Sequence, residues 1–304
     1  MKHLFVINPV AGGIDQTDTV SRLIRGAMEK KRPNEPYEIY VTKGPMDACE
    51  AIKARAIDGA PLRVYACGGD GTLNECVNGA AGRPNVALTH YPMGTGNDFC
   101  RIFGAGAERF KNFELLIDGE ESGLDLISCN GRYSINICSV GIDARIGTDV
   151  HKYSHLPFIS GHRAYIFSTL VNFIKGISRP LRIRLDDTVL EGDFSLICVC
   201  NGRYYGGGFN PMPDAEPDDG MLDFLIIKKV SRLAFVKLIG KFKNGRYKEL
   251  PEEYVTYRRG RALRVESSEK IIINIDGEMQ EGNFADFIVE PSTLSFFYPP
   301  DTHW

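Results

Sequence analysis

The first part of the chain alternates between two patterns of hydrophobic and polar positions. Short apolar runs, typical of buried strands, are each followed by a stretch in which apolar residues recur every three or four positions, as in a helix. This alternation predicts a parallel sheet covered by helices. The predicted strands are 3–8, 37–42, 63–67 and 85–91, and the predicted helices are 17–31 (with an apolar stripe of Val20, Leu23, Ile24, Ala27 and Met28), 45–57 (with Pro45 in its first turn) and a third that ends near residue 80.

From about residue 123 the helical periodicity fades and short apolar runs dominate. Asn130-Gly131 stands between two such runs and predicts a hairpin. We therefore expect an α/β domain over 1–126 and a mostly antiparallel β domain over 127–292, with 293–304 completing either of them. The predicted strands are 181–186, 189–200, 222–227, 262–267, 270–275 and 285–289, and the predicted helices lie near 161–176 and 231–243.

Composition limits the classes of protein to which the chain can belong. Its 304 residues carry a formal net charge of -3, whereas a general nucleic-acid binder is usually basic, so we expect no nucleic-acid partner. No apolar run approaches the ~20 residues of a membrane-spanning helix, and the apolar start breaks at Asn8-Pro9, as a first strand would. The eight cysteines show no CxxC spacing, and Cys198 and Cys200 alternate in an apolar run. We expect buried thiols and a cytoplasmic location.

Three of the predicted strands end in small or polar loops: NPVAGG (8–13), GGDGT (68–72) and GTGND (94–98). In an open α/β sheet, ligands bind outside the carboxyl ends of the strands. Backbone N–H groups in such loops, together with a helix N-terminus, can hold phosphates. Each loop taken alone is also explained as a tight turn, but three at equivalent positions favour a phosphate site. Neither GxGxxG nor GxxxxGK[ST] occurs.

Two acidic stretches lie in the second part of the chain. Residues 214–227 concentrate carboxylates before an apolar strand, and hard cations such as Mg²⁺ take oxygen ligands in turns of this kind. A solvated acidic turn is the alternative, and the calcium-loop pattern is incomplete. The second stretch, Asp276-Gly277-Glu278, ends an apolar strand and is also a common hairpin turn.

Five motifs together resemble the diacylglycerol kinase catalytic-domain family, and most closely its soluble bacterial lipid kinases. In order they are NPVAGG, GGDGTLNE, PMGTGNDF, GGGFNPMPDAEPDDGMLD and DGE. GGDGT alone is shared with NAD kinases and phosphofructokinases, but its combination with GTGNDF and a late DGE is specific. The resemblance implies a Rossmann-like N-terminal domain of the NAD kinase and phosphofructokinase kind, a β-sandwich second domain and an active site in the interdomain cleft. It also implies phosphorylation of a lipid hydroxyl by ATP, with diacylglycerol as the expected acceptor.

The resemblance also assigns individual residues. Glu278 matches the proposed base that accepts the proton of the lipid hydroxyl, with Asp276 beside it. A structural Mg²⁺ site maps onto Asp219, the backbone carbonyl of Met221 and the position of Glu216, where it would brace the acidic turn, whereas another Mg²⁺ accompanies ATP. The residues assigned to the nucleotide are Asn8, Pro9, Val10, Ala11, Gly12, Thr42, Gly68, Gly69, Asp70, Gly71, Thr72, Leu73, Asn74, Glu75 and Thr95.

Residues 228–248 contain eight Lys or Arg and no Asp or Glu. The predicted helix there places Phe235, Ile239 and Phe242 on one face, opposite Lys237 and Lys241. It could pack on its own domain or contact an anionic membrane surface. A lipid kinase that lacks a membrane span must still reach its substrate, which favours peripheral membrane contact.

His151 and His155 are one helical turn apart, with His162 later, and could bind zinc. Lys152 stands where the motif requires Glu, which argues against that site.

Two other functions stay open beside the lipid kinase. An NAD kinase-like enzyme shares GGDGT, and a non-catalytic lipid-binding protein would tolerate the loss of Asp70 or Glu278. A homodimer is also open.

Overall fold

The computed structural model describes residues 1–142, 144 and 178–304. Its first part is a parallel sheet of four strands in the order β2-β1-β3-β4, covered by helices. The strands and helices predicted here are all present, to within two residues at each end. The elements are β1 (Lys2–Ile7), α1 (Thr17–Lys31), β2 (Tyr37–Val41), α2 (Asp47–Arg55), β3 (Leu62–Gly68), α3 (Asp70–Ala80) and β4 (Val86–Pro92).

Two details of the predicted helices are wrong. Leu23 belongs to the apolar stripe of α1 by periodicity, but it lies at the edge of the stripe and is exposed, whereas Ile24 and Met28 are buried. Pro45 lies in a turn before α2 and not in its first turn. The residue that precedes α2, Met46, has a positive φ of 64°, so helical geometry begins only at Asp47.

A 3-10 helix (Phe99–Lys111) and α4 (Phe113–Ile117) follow β4 and lead into the predicted hairpin. The hairpin joins β5 (Glu120–Cys129) to β6 (Arg132–Ser134). Its two turn residues, Asn130 and Gly131, have positive φ values of 47° and 85°. These values are typical of the type I′ turn that the Asn-Gly pair predicts.

The second part of the chain is an antiparallel β-sandwich, and its described residues include one long helix. The segments 262–267 and 270–275 were predicted as two strands, but they form one strand, Ala262–Ile275, with an irregularity in its pairing register. The strand that precedes it, Val255–Gly260, was not predicted. The elements are β7 (Ile137–Gly141), β8 (Arg179–Leu185), β9 (Thr188–Cys200), β10 (Leu222–Lys228), α5 (Arg232–Lys243), β11 (Val255–Gly260), β12 (Ala262–Ile275) and β13 (Glu278–Tyr298), with a 3-10 helix at Tyr247–Glu249.

Strand β13 connects the two parts of the molecule. Its first half pairs with β12, and its second half pairs with β5. Ser295 and Phe296 also pair with β4, in parallel, and so extend the first sheet. Leu294, Phe296 and Phe297 are buried in the first hydrophobic core, while a second core is built from residues between 127 and 289. The final segment therefore completes the first sheet; the predicted domain boundary stays a prediction, which these two cores support.

The cysteines are free and buried, as the sequence predicts. Cys198 and Cys200 lie in one apolar cluster on the same face of β9. Across the described ranges, no helix is both long and apolar enough to cross a membrane. The predicted helix near 161–176 and the three histidines of the zinc hypothesis lie outside the described residues.

Candidate active site

The glycine-rich turn GGDGT joins the end of β3 to the start of α3. Gly69 is the N-cap residue of the helix, and Asp70 is its first residue. A Cβ on Gly68 would overlap the Thr72 side chain, and a Cβ on Gly94 would lie 2.5 Å from the Gly69 Cα. The glycines therefore let two loops touch through their main chains. They also leave the N–H groups of the first turn of α3 facing outward, which is the arrangement that binds anions.

The loop after β1 is joined to the same helix turn. Asn8 Nδ2 donates to Thr72 Oγ1 at 2.9 Å, while Asn8 Oδ1 accepts from the Val10 N–H at 3.1 Å. Gly12 has a positive φ of 69°, and a Cβ there would lie 2.6 Å from the Met93 carbonyl oxygen. The loops after β1, β3 and β4 thus meet at the carboxyl edge of the sheet, as their positions in the sequence predict.

The loop after β4 is fixed by two side chains. Asn97 closes it, because its amide accepts from the Gly94 N–H at 3.0 Å and donates to the Gly94 carbonyl at 2.7 Å. The Asp98 N–H donates to Asp70 Oδ1 at 2.6 Å, so the loop is also bound to α3. Thr95 is exposed at its tip.

Asp98 was not predicted as a site residue, yet it links the two parts of the chain. Its side chain is buried, and Oδ2 accepts from the Gly207 N–H at 2.7 Å. Arg101 Nε lies 3.1 Å from Oδ1. Burial raises the pKa of the Asp98 carboxyl, while the Gly207 N–H opposes that shift. The motifs GTGND and GGGF contain Asp98 and Gly207, but only the contact between these two residues reveals the link.

His90 lies behind the glycine turn and was also missed. Its ring is fully buried on β4. Nε2 donates to the Gly68 carbonyl oxygen at 2.9 Å, and Nδ1 lies 3.3 Å from Cys100 Sγ. Burial lowers the pKa of His90, against the opposing effects of the Gly68 carbonyl and Asp70, so the ring stays neutral at neutral pH. A single histidine in an apolar strand gave no signal of this contact.

Asp276 lies in the turn between β12 and β13, with a positive φ of 51°. Its carboxylate accepts five hydrogen bonds, from α3 and from residues 134–137, which run from the end of β6 to the start of β7. The donors are Asn74 Nδ2 at 3.1 Å, Ser134 Oγ at 2.6 Å and the N–H groups of Ile135, Asn136 and Ile137 at 2.8, 3.2 and 3.0 Å. Burial raises the pKa of this carboxyl, and the donors oppose the shift. Asp276 therefore holds both parts of the chain together.

Glu278 follows two residues later, as the first residue of β13, and its side chain is exposed. Its Oε1 lies 3.6 Å from the position that a Cβ on Gly71 would take. The carboxylate thus faces the first turn of α3. Of the two residues predicted as catalytic, Glu278 lies beside the glycine turn and Asp276 contacts Asn74 further along α3. Their environments differ, because the Asp276 carboxylate accepts from five donors and that of Glu278 is exposed.

The remaining residues assigned to the nucleotide differ in their contacts, and not all of them face the loops. Glu75 turns away from the loops, and its Oε2 accepts from the Ala48 N–H at 3.2 Å at the start of α2. The Thr42 N–H donates to the Ile7 carbonyl at 2.9 Å, which places it at the end of β2. Leu73 and Ala11 are buried, whereas Pro9 and Val10 lie in the loop after β1.

The acidic turn before β10 is fixed by hydrogen bonds and an ion pair. Asp219 Oδ1 accepts from the Met221 N–H at 2.9 Å. Asp219 Oδ2 is buried, accepts no hydrogen bond and forms an ion pair with Arg259. Glu216 is exposed. Within the ranges that the structure describes, no three His, Cys, Asp or Glu side chains lie close enough to hold a metal.

Asp125 anchors this turn and was not predicted. It is buried in β5, and its carboxylate accepts from the Gly220 N–H at 2.6 Å and the Ser292 N–H at 2.8 Å. Its own N–H donates to the Pro217 carbonyl at 2.8 Å. The signal in the sequence was an aspartate inside an apolar run, since a buried carboxylate needs partners.

Two family models match the chain, one in each part. The diacylglycerol kinase catalytic domain matches residues 2–129. The YegS C-terminal NAD kinase beta sandwich-like domain matches residues 136–298. The two matches together account for the glycine loops and for the antiparallel sandwich, and they favour the lipid kinase over the NAD kinase alternative.

Individual proteins agree with the family models. The diacylglycerol kinase of Bacillus subtilis (strain 168) is 32% identical over 254 residues, which are 79% of each chain. A Pseudomonas aeruginosa protein named "Probable lipid kinase YegS-like" is 32% identical over 278 residues, which are 91% of this chain and 89% of that one. The solved structure of a candidate diacylglycerol kinase from Bacillus anthracis str. Sterne aligns with a TM-score of 0.76 at 25% identity, over 98% of this chain and 97% of that one. The chain belongs to the family of diacylglycerol kinases and YegS-like lipid kinases.

Proposed function

We propose that this lipid kinase transfers the terminal phosphate of ATP to the free hydroxyl of diacylglycerol, in the cleft between its two parts. The approach of the Glu278 carboxylate to Gly71 carries the proposal. The approach brings an exposed carboxylate beside the first turn of α3, where backbone N–H groups can hold phosphates. Phosphoryl transfer needs this combination of a positioned nucleotide and a group that accepts the proton of the attacking hydroxyl.

The nucleotide is proposed to lie against the loops after β1, β3 and β4. The N–H groups at the start of α3 would face its phosphates, and Thr72, held by Asn8, would add a hydroxyl. Asp70 has one oxygen that accepts from the Asp98 N–H, and its other oxygen can face the Mg²⁺ that accompanies ATP. When bound with ATP, Mg²⁺ would supply positive charge that offsets the charge on the phosphates.

Glu278 is proposed to accept the proton of the lipid hydroxyl as its oxygen attacks the terminal phosphorus. The new O–P bond forms as the bond to ADP breaks, and ADP leaves with the electron pair. Asp276 is proposed as a positioning residue, because its five donors fix the turn that carries Glu278.

The acidic turn is proposed to bind a structural Mg²⁺ through Asp219, the Met221 carbonyl and Glu216. The buried Asp219 Oδ2, which accepts no hydrogen bond, supports this, since a carboxylate oxygen of that kind suits a hard cation. The Arg259 guanidinium competes for the same oxygen. The metal would stabilise the turn and take no part in the transfer.

Peripheral contact with an anionic membrane is proposed for α5. Leu233 and Val236 lie on its outer face with 77% and 61% of their surface exposed, beside Lys237. The surface of residues 228–248 is less positive than the sequence indicates, because several of its basic residues are paired with nearby acids, among them Lys229, Lys241, Arg246 and Lys248. Because Leu233 and Val236 are proposed to contact the membrane, less of the L233D/V236D variant than of the parent should sediment with phosphatidylglycerol vesicles. Equal binding by the variant and the parent would exclude the contact.

The proposed reaction is tested by incubating the purified protein with labelled ATP and separate candidate acceptors. These are diacylglycerol, phosphatidylglycerol, sphingosine, ceramide and NAD. We expect label in phosphatidic acid and not in NADP. Labelling of another lipid would keep the lipid kinase and replace its acceptor, whereas labelling of no lipid would contradict the proposed reaction.

A further inference from the structure

The peptide group that joins Gly68 to Gly69 has a glycine on both sides. Neither residue carries a Cβ, so the steric limits that hold an ordinary peptide in one orientation are weak here. Because the group is planar and trans, a rotation would reverse the directions of its carbonyl and its N–H together. The direction of the Gly69 N–H therefore depends on what holds the Gly68 carbonyl.

Two donors from the β4 side hold this carbonyl. The Met93 N–H donates to the Gly68 oxygen at 2.8 Å, in continuation of the pairing between β3 and β4. The second donor is His90 Nε2, at 2.9 Å. A carbonyl oxygen has two lone pairs, so both are used. The first bond is the ordinary one of a parallel sheet, whereas the second depends on the imidazole.

The Gly69 N–H points away from β4. It lies on the side of the trans peptide opposite the Gly68 carbonyl, which faces β4. The preceding carbonyl, that of Cys67, also faces this opposite side, and it accepts from the Asn8 N–H at 3.0 Å. The Gly69 N–H is thus directed toward the loop after β1, at the N-cap of α3. It joins the backbone N–H groups that are proposed to hold the phosphates.

Cys100 fixes the tautomer of His90. The Gly68 carbonyl can only accept, so Nε2 carries the proton and the neutral ring keeps a lone pair on Nδ1. Cys100 Sγ lies 3.3 Å from Nδ1, and both side chains are buried. Burial raises the pKa of the Cys100 thiol, so the thiol stays protonated and donates to Nδ1. The ring is therefore held between one donor and one acceptor.

We propose that His90 is a positioning residue for the nucleotide, which turns the Gly69 N–H toward the phosphates, and that Cys100 holds His90 in the tautomer this requires. The inference rests on the proposed kinase reaction and gives two buried side chains a role in it. An apolar side chain would fill the same position on β4 without the desolvation that an imidazole requires. The hydrogen bond that sets the orientation of the turn offsets this desolvation.

The first test compares His90→Gln with His90→Met. The two new side chains are similar in length, but only the glutamine amide can donate to the Gly68 carbonyl. In calorimetric titration with Mg·ATP, the Kd of His90→Met should rise by about tenfold or more, the scale of one lost hydrogen bond to a charged group, and that of His90→Gln by less than about threefold. The control is Thr89→Val, which removes a buried hydroxyl on β4 that has no hydrogen-bond partner among the described residues and should keep the parental Kd.

The second test reads the tautomer and needs no nucleotide. Nitrogen NMR of protein made with isotope-labelled histidine distinguishes a protonated from an unprotonated ring nitrogen, and the signals lost in His90→Gln are those of His90. The parent should show a protonated Nε2 and an unprotonated Nδ1. Cys100→Ser keeps a donor and should preserve this pattern, whereas Cys100→Ala should shift it toward a protonated Nδ1 and raise the Kd for Mg·ATP.

The outcomes separate this inference from the reaction on which it rests. Equal Kd values for His90→Met and the parent, or an equal rise in His90→Met and His90→Gln, would overturn the positioning role, even if the melting temperature fell. Should His90→Met not fold, the cysteine variants decide, and equal Kd values for Cys100→Ala and Cys100→Ser would overturn the inference. A protonated Nδ1 in the parent would overturn it as well. A parent that binds no Mg·ATP would contradict the kinase reaction itself, and the inference with it.

Discussion

Asp276 and Glu278 are separated by one glycine, yet their carboxylates lie in different environments. A base needs a lone pair that is free to accept the proton. The oxygens of Asp276 accept from five donors, whereas Glu278 is exposed beside Gly71. The sequence places both residues in one motif and cannot separate them, because the donors to Asp276 come from segments that are distant along the chain.

We expect Glu278→Gln to lower kcat for lipid phosphorylation by about 10²–10⁴-fold, because glutamine keeps the size of the side chain but cannot accept the proton. The Kd for Mg·ATP and the melting temperature should stay close to those of the parent. Glu281→Gln, exposed on the same strand, is the control. Near-parental kcat in Glu278→Gln would exclude Glu278 as the base.

Asp276→Asn should instead lower the melting temperature, since its amide nitrogen would face N–H donors.

We expect His90 to make the free energy of unfolding depend on pH. Burial holds its pKa below the ordinary value of 6.5, so below about pH 6.5 the unfolded chain takes up a proton that the folded chain does not. The free energy of unfolding should therefore fall as the pH is lowered from about 6.5. The pKa of His3 is also lowered by burial and acts in the same direction. Urea unfolding at pH 8 and at pH 5.5 should show a smaller difference for His90→Gln than for the parent, and equal differences would contradict this account.

At the scale of the element, α3 shows that the glycines before and within its first turn serve different purposes. A Cβ on Gly68 would overlap the Thr72 side chain, so this glycine is required for the turn to form. Outside its own helix, the described atom that a Cβ on Gly71 would approach within van der Waals distance is Glu278 Oε1, at 3.6 Å. A Cβ on Gly71 would thus meet no clash among the described residues, and the glycine keeps open the space between the helix and the proposed base.

Substitutions at these two glycines should have opposite effects on the melting temperature and on the binding of Mg·ATP. Gly71→Val should fold with a melting temperature close to the parental value but bind Mg·ATP more weakly, because its side chain fills the space proposed for the phosphates. Gly68→Ala should lower the melting temperature, because the clash with Thr72 disturbs the turn itself. Calorimetric titration with Mg·ATP and thermal melts measure both effects. Parental ATP binding by Gly71→Val would show that the phosphates lie elsewhere.

The acidic turn makes a prediction at the same scale. A metal bound only by the folded protein stabilises it by mass action. A chelator should therefore lower the melting temperature of the parent and hardly change that of Asp219→Ala. Arg259→Gln removes the competing cation and should strengthen the response to added Mg²⁺. A parent whose melting temperature ignores both chelator and Mg²⁺ would exclude the structural metal and leave the kinase reaction untouched.

At the scale of the whole molecule, the local part of the fold was predictable and the long-range part was not. The strands and helices around the three glycine loops follow from periodicity and turn residues, and so does their meeting at one sheet edge. Strand β11 was missed, and β12 was divided at its irregularity, because pairing with neighbours defines both. The link from Asp98 to Gly207 and the anchoring of the acidic turn by Asp125 are also invisible locally.

Strand β13 has a consequence for how the protein is made. Phe296 pairs with Leu88, so the first sheet gains its last neighbour only after the whole antiparallel sandwich has been synthesised. During translation β4 is an open edge, and Leu294, Phe296 and Phe297 are missing from the first core. Contacts so far apart in sequence slow folding, and an unfinished sheet edge invites pairing with other chains. The ribosome-bound intermediate is therefore the stage at which the unfinished edge of the first sheet is open to pairing with other chains.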